Sequence, residues 1–163
     1  MLRLLLWPFV LSFLNTGVWV GLRYLGISSL ISGDEGVMVS GTNALGIVLY
    51  ALLAGFITVT VWNQWEAVHD AVKSKDREKF KLYKNKRLPK PLKMLLALYS
   101  LYIAGGFHLT LYRNLLDGVY TAFGIALLLS TVWAVVMDLD DPFTGFWNVK
   151  VPKEWLDEDD GSA

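Results

Sequence analysis

Four stretches of this chain are long, apolar and almost free of charge, and that pattern limits what the polypeptide can become. A span needs about 20 predominantly apolar residues to cross the roughly 30 Å hydrocarbon core of a bilayer. Leu4 to Leu22 lies uncharged between Arg3 and Arg23, and Ala44 to Trp62 is charge-free throughout. Leu95 to Tyr112 contains only His108 as an ionisable group of note, and Leu116 to Met137 has Asp117 at its mouth and Asp138 just past its end. Trp7, Trp19, Trp62 and Tyr112 lie near ends of these blocks, where an amphipathic ring suits the membrane interface. The expectation is an all-α membrane protein with four transmembrane helices at about 4–22, 44–62, 95–112 and 116–137, forming one domain over 1–156. The first block is expected to be a retained span and not a cleaved signal peptide, because no small-x-small site follows Leu14.

Orientation follows from the basic residues, which concentrate in cytoplasmic connections. Asn63 to Lys93 holds ten of the 15 Lys and Arg, whereas Ile27–Asn43 holds none and carries Asp34 and Glu35. With the basic connection inside, both termini are expected to be cytoplasmic. The expected location is a bacterial inner membrane or its equivalent, as an integral multi-pass protein. Within the basic connection, Trp62 to Lys84 lacks Gly and Pro, and Trp65, Val68 and Val72 fall on one helical face, so a short cytoplasmic helical segment is expected there. Pro89 and Pro91 then interrupt it. Two readings of its basic face remain open: a solvated continuation of the second span near anionic lipid, or a specific headgroup site. The segment 157–163 is acidic and then small, and reads as a disordered tail.

Composition excludes several kinds of chemistry. The absence of cysteine removes disulfides, thiolate zinc sites, iron–sulfur clusters and cysteine nucleophiles. Equal numbers of basic and acidic residues, 15 of each, leave no global positive field for nucleic acid. Only two histidines are present. His108 lies roughly 20 Å along the third span at about 1.5 Å per residue, and His69 lies beyond the inner end of the second, so they cannot share a metal within one subunit. His108 is either a cross-helix hydrogen-bonding group or a lone ligand to a haem or pigment. Asp138, Asp140 and Asp141 offer oxygens to Ca²⁺, though without the spacing of an EF-hand loop. No nucleophile–base–orienter set is recognisable, so neither an enzyme nor a resident cofactor is expected.

Two further segments have a pattern of their own. Ala44, Val48, Ala51, Gly55 and Thr58 form a small or hydroxylated face on the second span, and Ala51-x-x-x-Gly55 is a small-xxx-small pair that lets helices approach closely. Such a face either packs helices or lines a pore that gates by dewetting. The segment Asp140-Asp141-Pro142-Phe143-Thr144-Gly145-Phe146-Trp147 mixes turn formers with large aromatics, which predicts a structured turn folded back on the inner ends of the third or fourth span.

This arrangement resembles the bestrophin-like membrane family, and in particular its short bacterial branch of uncharacterised function. The resemblance rests on the order of the spans, on Leu139 to Gly145 followed by Val149-Lys150-Val151-Pro152, and on Gly46–Trp62 leading into Trp65-Glu66-Ala67-Val68. It implies that Asp141, Pro142, Phe143 and Gly145 form the family's structural turn. It also implies a homo-oligomer, by resemblance a pentamer, acting as an ion channel with Val48, Ala51, Gly55 and Thr58 lining the pore. The chain departs from the family in the short connection between its second and third spans, where members usually carry a longer helical domain. The other expectation is a non-catalytic accessory or scaffold subunit that partners unlike membrane chains. In both cases the surrounding partner is the lipid bilayer.

Overall fold

The computed structural model describes residues 2–27, 34–109, 112, 114–152 and 154–157. Every regular element among them is helical: α1 (Leu2–Tyr24), α2 (Asp34–Lys73), α3 (Arg77–Tyr83), α4 (Lys90–Leu109), α5 (Leu115–Asp140) and the single turn α6 (Glu154–Asp157). Among the described residues, three helical stretches are long and apolar enough to cross a membrane: Thr42–Lys73 of α2, α4 and α5. At most 28% of the apolar window in any of them is buried inside the chain. A helix that is apolar all round and mostly uncovered by its own chain is suited to lipid or to another subunit.

The element bounds differ from the sequence expectation in instructive ways. α2 starts at Asp34, well before Ala44. α4 starts at Lys90 with Pro91 in its first turn, where a missing backbone N–H costs least. It ends at Leu109, so Tyr112 lies outside it. The expected acidic tail at 157–163 lies outside the described residues, except for Asp157 at the end of α6.

The chain divides into two compact units. The first comprises Met1–Gly55 and Lys90–Ala134. Here small residues bring helices together. Trp19 of α1 is buried with its indole against Gly118 of α5, occupying the space that a Cβ would need. Asn43 of α2 seats in the same way on Gly106 of α4, and Tyr102 of α4 on Gly46 of α2. Phe13 meets Phe123 edge-on at 5.1 Å between ring centroids. Two polar side chains are satisfied within the unit: the Ser12 hydroxyl donates to Pro8 O at 2.7 Å, and Asn15 Nδ2 donates across helices to Ala122 O at 3.1 Å. Both bonds answer the need to satisfy polar groups internally at membrane depth.

The second unit comprises Phe56–Pro89 and Val135–Ala163. Its core is Val68, Ala71, Phe80 and Val149, with Trp65, Val72, Tyr83, Phe143, Val151 and Trp155 packed around it. Trp65, Val68 and Val72 thus face inward together, as their spacing predicts. The single helix expected over Trp62–Lys84 is broken, however. α2 ends at Lys73, the Lys75 N–H donates to Val72 O at 3.2 Å, and the Asp76 N–H donates to Ala71 O at 2.9 Å. With Lys75 at φ 57° in the left-handed region, this is the Schellman arrangement that closes many helices. Asp76 then caps α3, its side chain accepting from the Lys79 N–H at 2.9 Å. The break turns α3 back so that Phe80 can be buried against α2, a gain that outweighs uninterrupted helix.

Candidate functional site

α2 has two faces. Asn43, Gly46, Tyr50, Ala54, Ile57 and Val61 recur every three or four residues and are buried. Ala44, Val48, Ala51 and Gly55, interleaved with them, are exposed. Val48 is 55% exposed, and a Cβ built on Gly55 would meet nothing within 4 Å. Thr58, the last of the expected pore residues, is half-buried and its side chain or backbone is already partnered. The small-residue face therefore points away from the chain's own contacts. The opposite, buried face was not singled out by sequence, although its helical period is readable once Gly46 and Asn43 are recognised as close-packing positions.

The segment 138–149 forms a second constellation, built on three carboxylates at the end of α5. The Asp138 carboxylate accepts from the Phe146 N–H at 3.0 Å and the Trp147 N–H at 3.2 Å. Gly145 lies between these donors and its acceptor residue at φ 84°, and the Asp138 carboxylate occupies the position its Cβ would take. Only glycine meets both demands without strain. Asp140 is buried and accepts from the Leu88 N–H in the connection before α4. Asp141 pairs with Arg87 at 3.1 Å, while its carboxylate also accepts from the Phe143 N–H at 3.3 Å and the Thr144 hydroxyl at 2.9 Å. Pro142 presets the turn, and its carbonyl accepts from the Val149 N–H at 2.6 Å.

The Asp138 bonds hold this turn to the end of α5, and its aromatics have further neighbours on the connection after α2. Phe143 packs edge-on against Phe80 of α3 at 6.0 Å, with the Arg87 guanidinium 5.7 Å from its ring centre. The Trp147 carbonyl accepts the Trp65 indole N–H from α2. Both rings are half-buried. Phe143 belongs to the cluster of α2, α3 and α6, because the connection after α2 folds back and offers it an apolar wall. Arg87 and Leu88, which hold Asp141 and Asp140, are far away in sequence and carry no local signal of that role.

The carboxylates of Asp138, Asp140 and Asp141, which could offer oxygens to Ca²⁺, are thus directed to separate protein donors. Among the described residues there is no group of three or more His, Cys, Asp or Glu arranged to hold a metal ion. His108 is buried, with Nδ1 against Ala104 O of its own helix and Nε2 3.3 Å from Asn15 O of α1. His69 stacks on Trp65 at 5.1 Å and lies 3.7 Å from Asp70. His108 thus bridges α4 and α1, whereas the contacts of His69 are within its own helix. No family model, curated protein or solved structure matches the chain.

Proposed function

We propose that this chain is a four-span membrane protein, both termini cytoplasmic, that assembles with copies of itself into a bestrophin-like ion channel with α2 lining the pore. The observation that carries the proposal is the outward small-residue face of α2, with open space at Gly55. A pore helix must present one face to its own bundle and another to the axis, and Tyr50, Ala54 and Ile57 against Val48, Ala51 and Gly55 meet that requirement. α1, 23 residues long and uncharged between Arg3 and Arg23, serves as the fourth span. The turn at Asp141, Pro142, Phe143 and Gly145 belongs to the second unit as a structural clamp, in keeping with the resemblance.

Gly55→Leu tests this reading. Within one chain the new side chain enters open space, so its effect arises from whatever faces the helix in the assembly. At a pore axis the added carbons enter the constriction from every subunit, so reconstituted flux falls sharply while oligomer size is preserved. At a packed helix interface overpacking costs about 1–3 kcal/mol and the oligomer dissociates instead. Unchanged flux in an intact oligomer, or a single copy found among unlike chains, would refute the channel and favour an accessory subunit.

A further inference from the structure

Beyond the proposed channel, and independent of it, the first unit contains a groove of about 500 Å³ between α1, α4 and α5. Ligand sites commonly fall in the range of roughly 300–1,000 Å³. Ala104 and Ala126 give this groove its depth and Trp133 supplies an aromatic wall. Three polar side chains from three different helices enter an otherwise apolar lining: Asn15, Ser100 and Ser130. The Ser100 hydroxyl donates to Leu96 O at 2.8 Å and the Ser130 hydroxyl to Ala126 O at 2.6 Å, so their protons are already committed. Asn15 Nδ2 is likewise committed, to Ala122 O at 3.1 Å. That bond fixes the amide, and among the described residues no donor is bonded to Asn15 Oδ1. A ligand that donates to this amide oxygen in an apolar setting gains the free energy of that hydrogen bond.

We infer that this groove binds a membrane-soluble alcohol, an apolar chain or ring system bearing one hydroxyl group, whose O–H donates to Asn15 Oδ1. The lining has no Lys, Arg, Asp or Glu, so a charged headgroup has no partner in it. A plain hydrocarbon fills the volume and leaves the amide unsatisfied, and an ether or ester brings only further acceptors. A helix from a second copy has its backbone donors bonded internally, so it also lacks a free main-chain N–H for Asn15. A hydroxyl-bearing lipid answers both the shape and the hydrogen-bond demand.

The test uses the full-length protein in phosphatidylcholine nanodiscs with two probes, hexadecanol carrying a mid-chain diazirine and its methyl ether. After photolysis, labelled residues are mapped by peptide mass spectrometry. The alcohol should label residues in 11–18, 97–104 and 126–133 about tenfold more than the ether does, the scale of one net hydrogen bond. Asn15→Leu should bring the two probes to equal labelling, and Ala104→Trp, which fills the groove, should remove both labels. Equal labelling by the two probes in the unmodified protein would overturn the inference, and that comparison needs no variant. So would labels concentrated outside these three segments, or labels that reach the groove only after an oligomer is dissociated, which would assign it to a second copy.

Discussion

Gly145 shows how a single position in this chain is fixed by two demands at once. Its φ of 84° disfavours any side chain, and the Asp138 carboxylate fills the place where one would begin. Replacing it with alanine forces strain in the turn and displaces the acceptor that holds the Phe146 and Trp147 N–H groups. The expected cost is about 1–3 kcal/mol, seen as a drop of several degrees in the unfolding temperature followed by tryptophan fluorescence in detergent. Gly124 provides the contrast, since a Cβ there meets nothing within 4 Å. Gly124→Ala should change stability by no more than about 0.5 kcal/mol. Equal effects of the two changes would contradict the placement of Asp138. At this scale the sequence revealed turn formers and a glycine, because those are local properties. It did not reveal that Asp140 would hold the Leu88 N–H, 52 residues away, since no local pattern encodes such a pairing.

At the scale of elements, the joint between α2 and α3 is where local preference and tertiary packing disagree. The stretch Trp62–Lys84 has no Gly or Pro, so propensity alone favours one helix, yet α2 closes at Lys73 with Lys75 in the left-handed region. Lysine is tolerated there because the closure lets Phe80 reach Val68 and Ala71. Lys75→Gly removes the backbone strain and should stabilise the joint by about 0.5–1 kcal/mol. Asp76→Ala removes the cap on the Lys79 N–H and should cost about 1 kcal/mol. Amide hydrogen exchange across α3 checks both: protection should rise in the first variant and fall in the second. Exchange that does not respond to Asp76→Ala would show that α3 is held by Phe80 alone. The apolar helices were far easier to read than this joint. Long charge-free runs specify them directly, while the break depends on contacts formed only after the chain has folded back.

At the scale of the whole molecule, the two units differ in how they were legible. The apolar helices of the first unit follow from composition in blocks, but their packing depends on Gly46, Gly106 and Gly118 meeting Tyr102, Asn43 and Trp19, pairs that a single sequence does not couple. The second unit depends on Phe80, which touches Phe143 at 6.0 Å and Trp155 at 5.2 Å. Phe80→Ala should cost about 3–5 kcal/mol. It should also increase protease cleavage within 141–157 at low protease concentration, because the turn and α6 lose their shared partner. The proposed orientation of the chain rests on charge. Ten of the 15 Lys and Arg lie between Asn63 and Lys93, and cytoplasmic connections retain such residues. In the proposed four-span arrangement the termini are separated by an even number of crossings, so both ends would share the side of that basic segment. Reporter fusions after Lys84 and after Ala163 should therefore both report the cytoplasm, and a reporter inserted within 31–41 should report the opposite side. With three spans instead of four, the basic segment and the C-terminus would still agree, but α1 would not cross. The insertion would then still lie opposite, and only the N-terminus would change sides. A tag ahead of Met1 is thus the decisive probe: protection from external protease in intact cells supports α1 as a span, and cleavage there removes it from the membrane-crossing set.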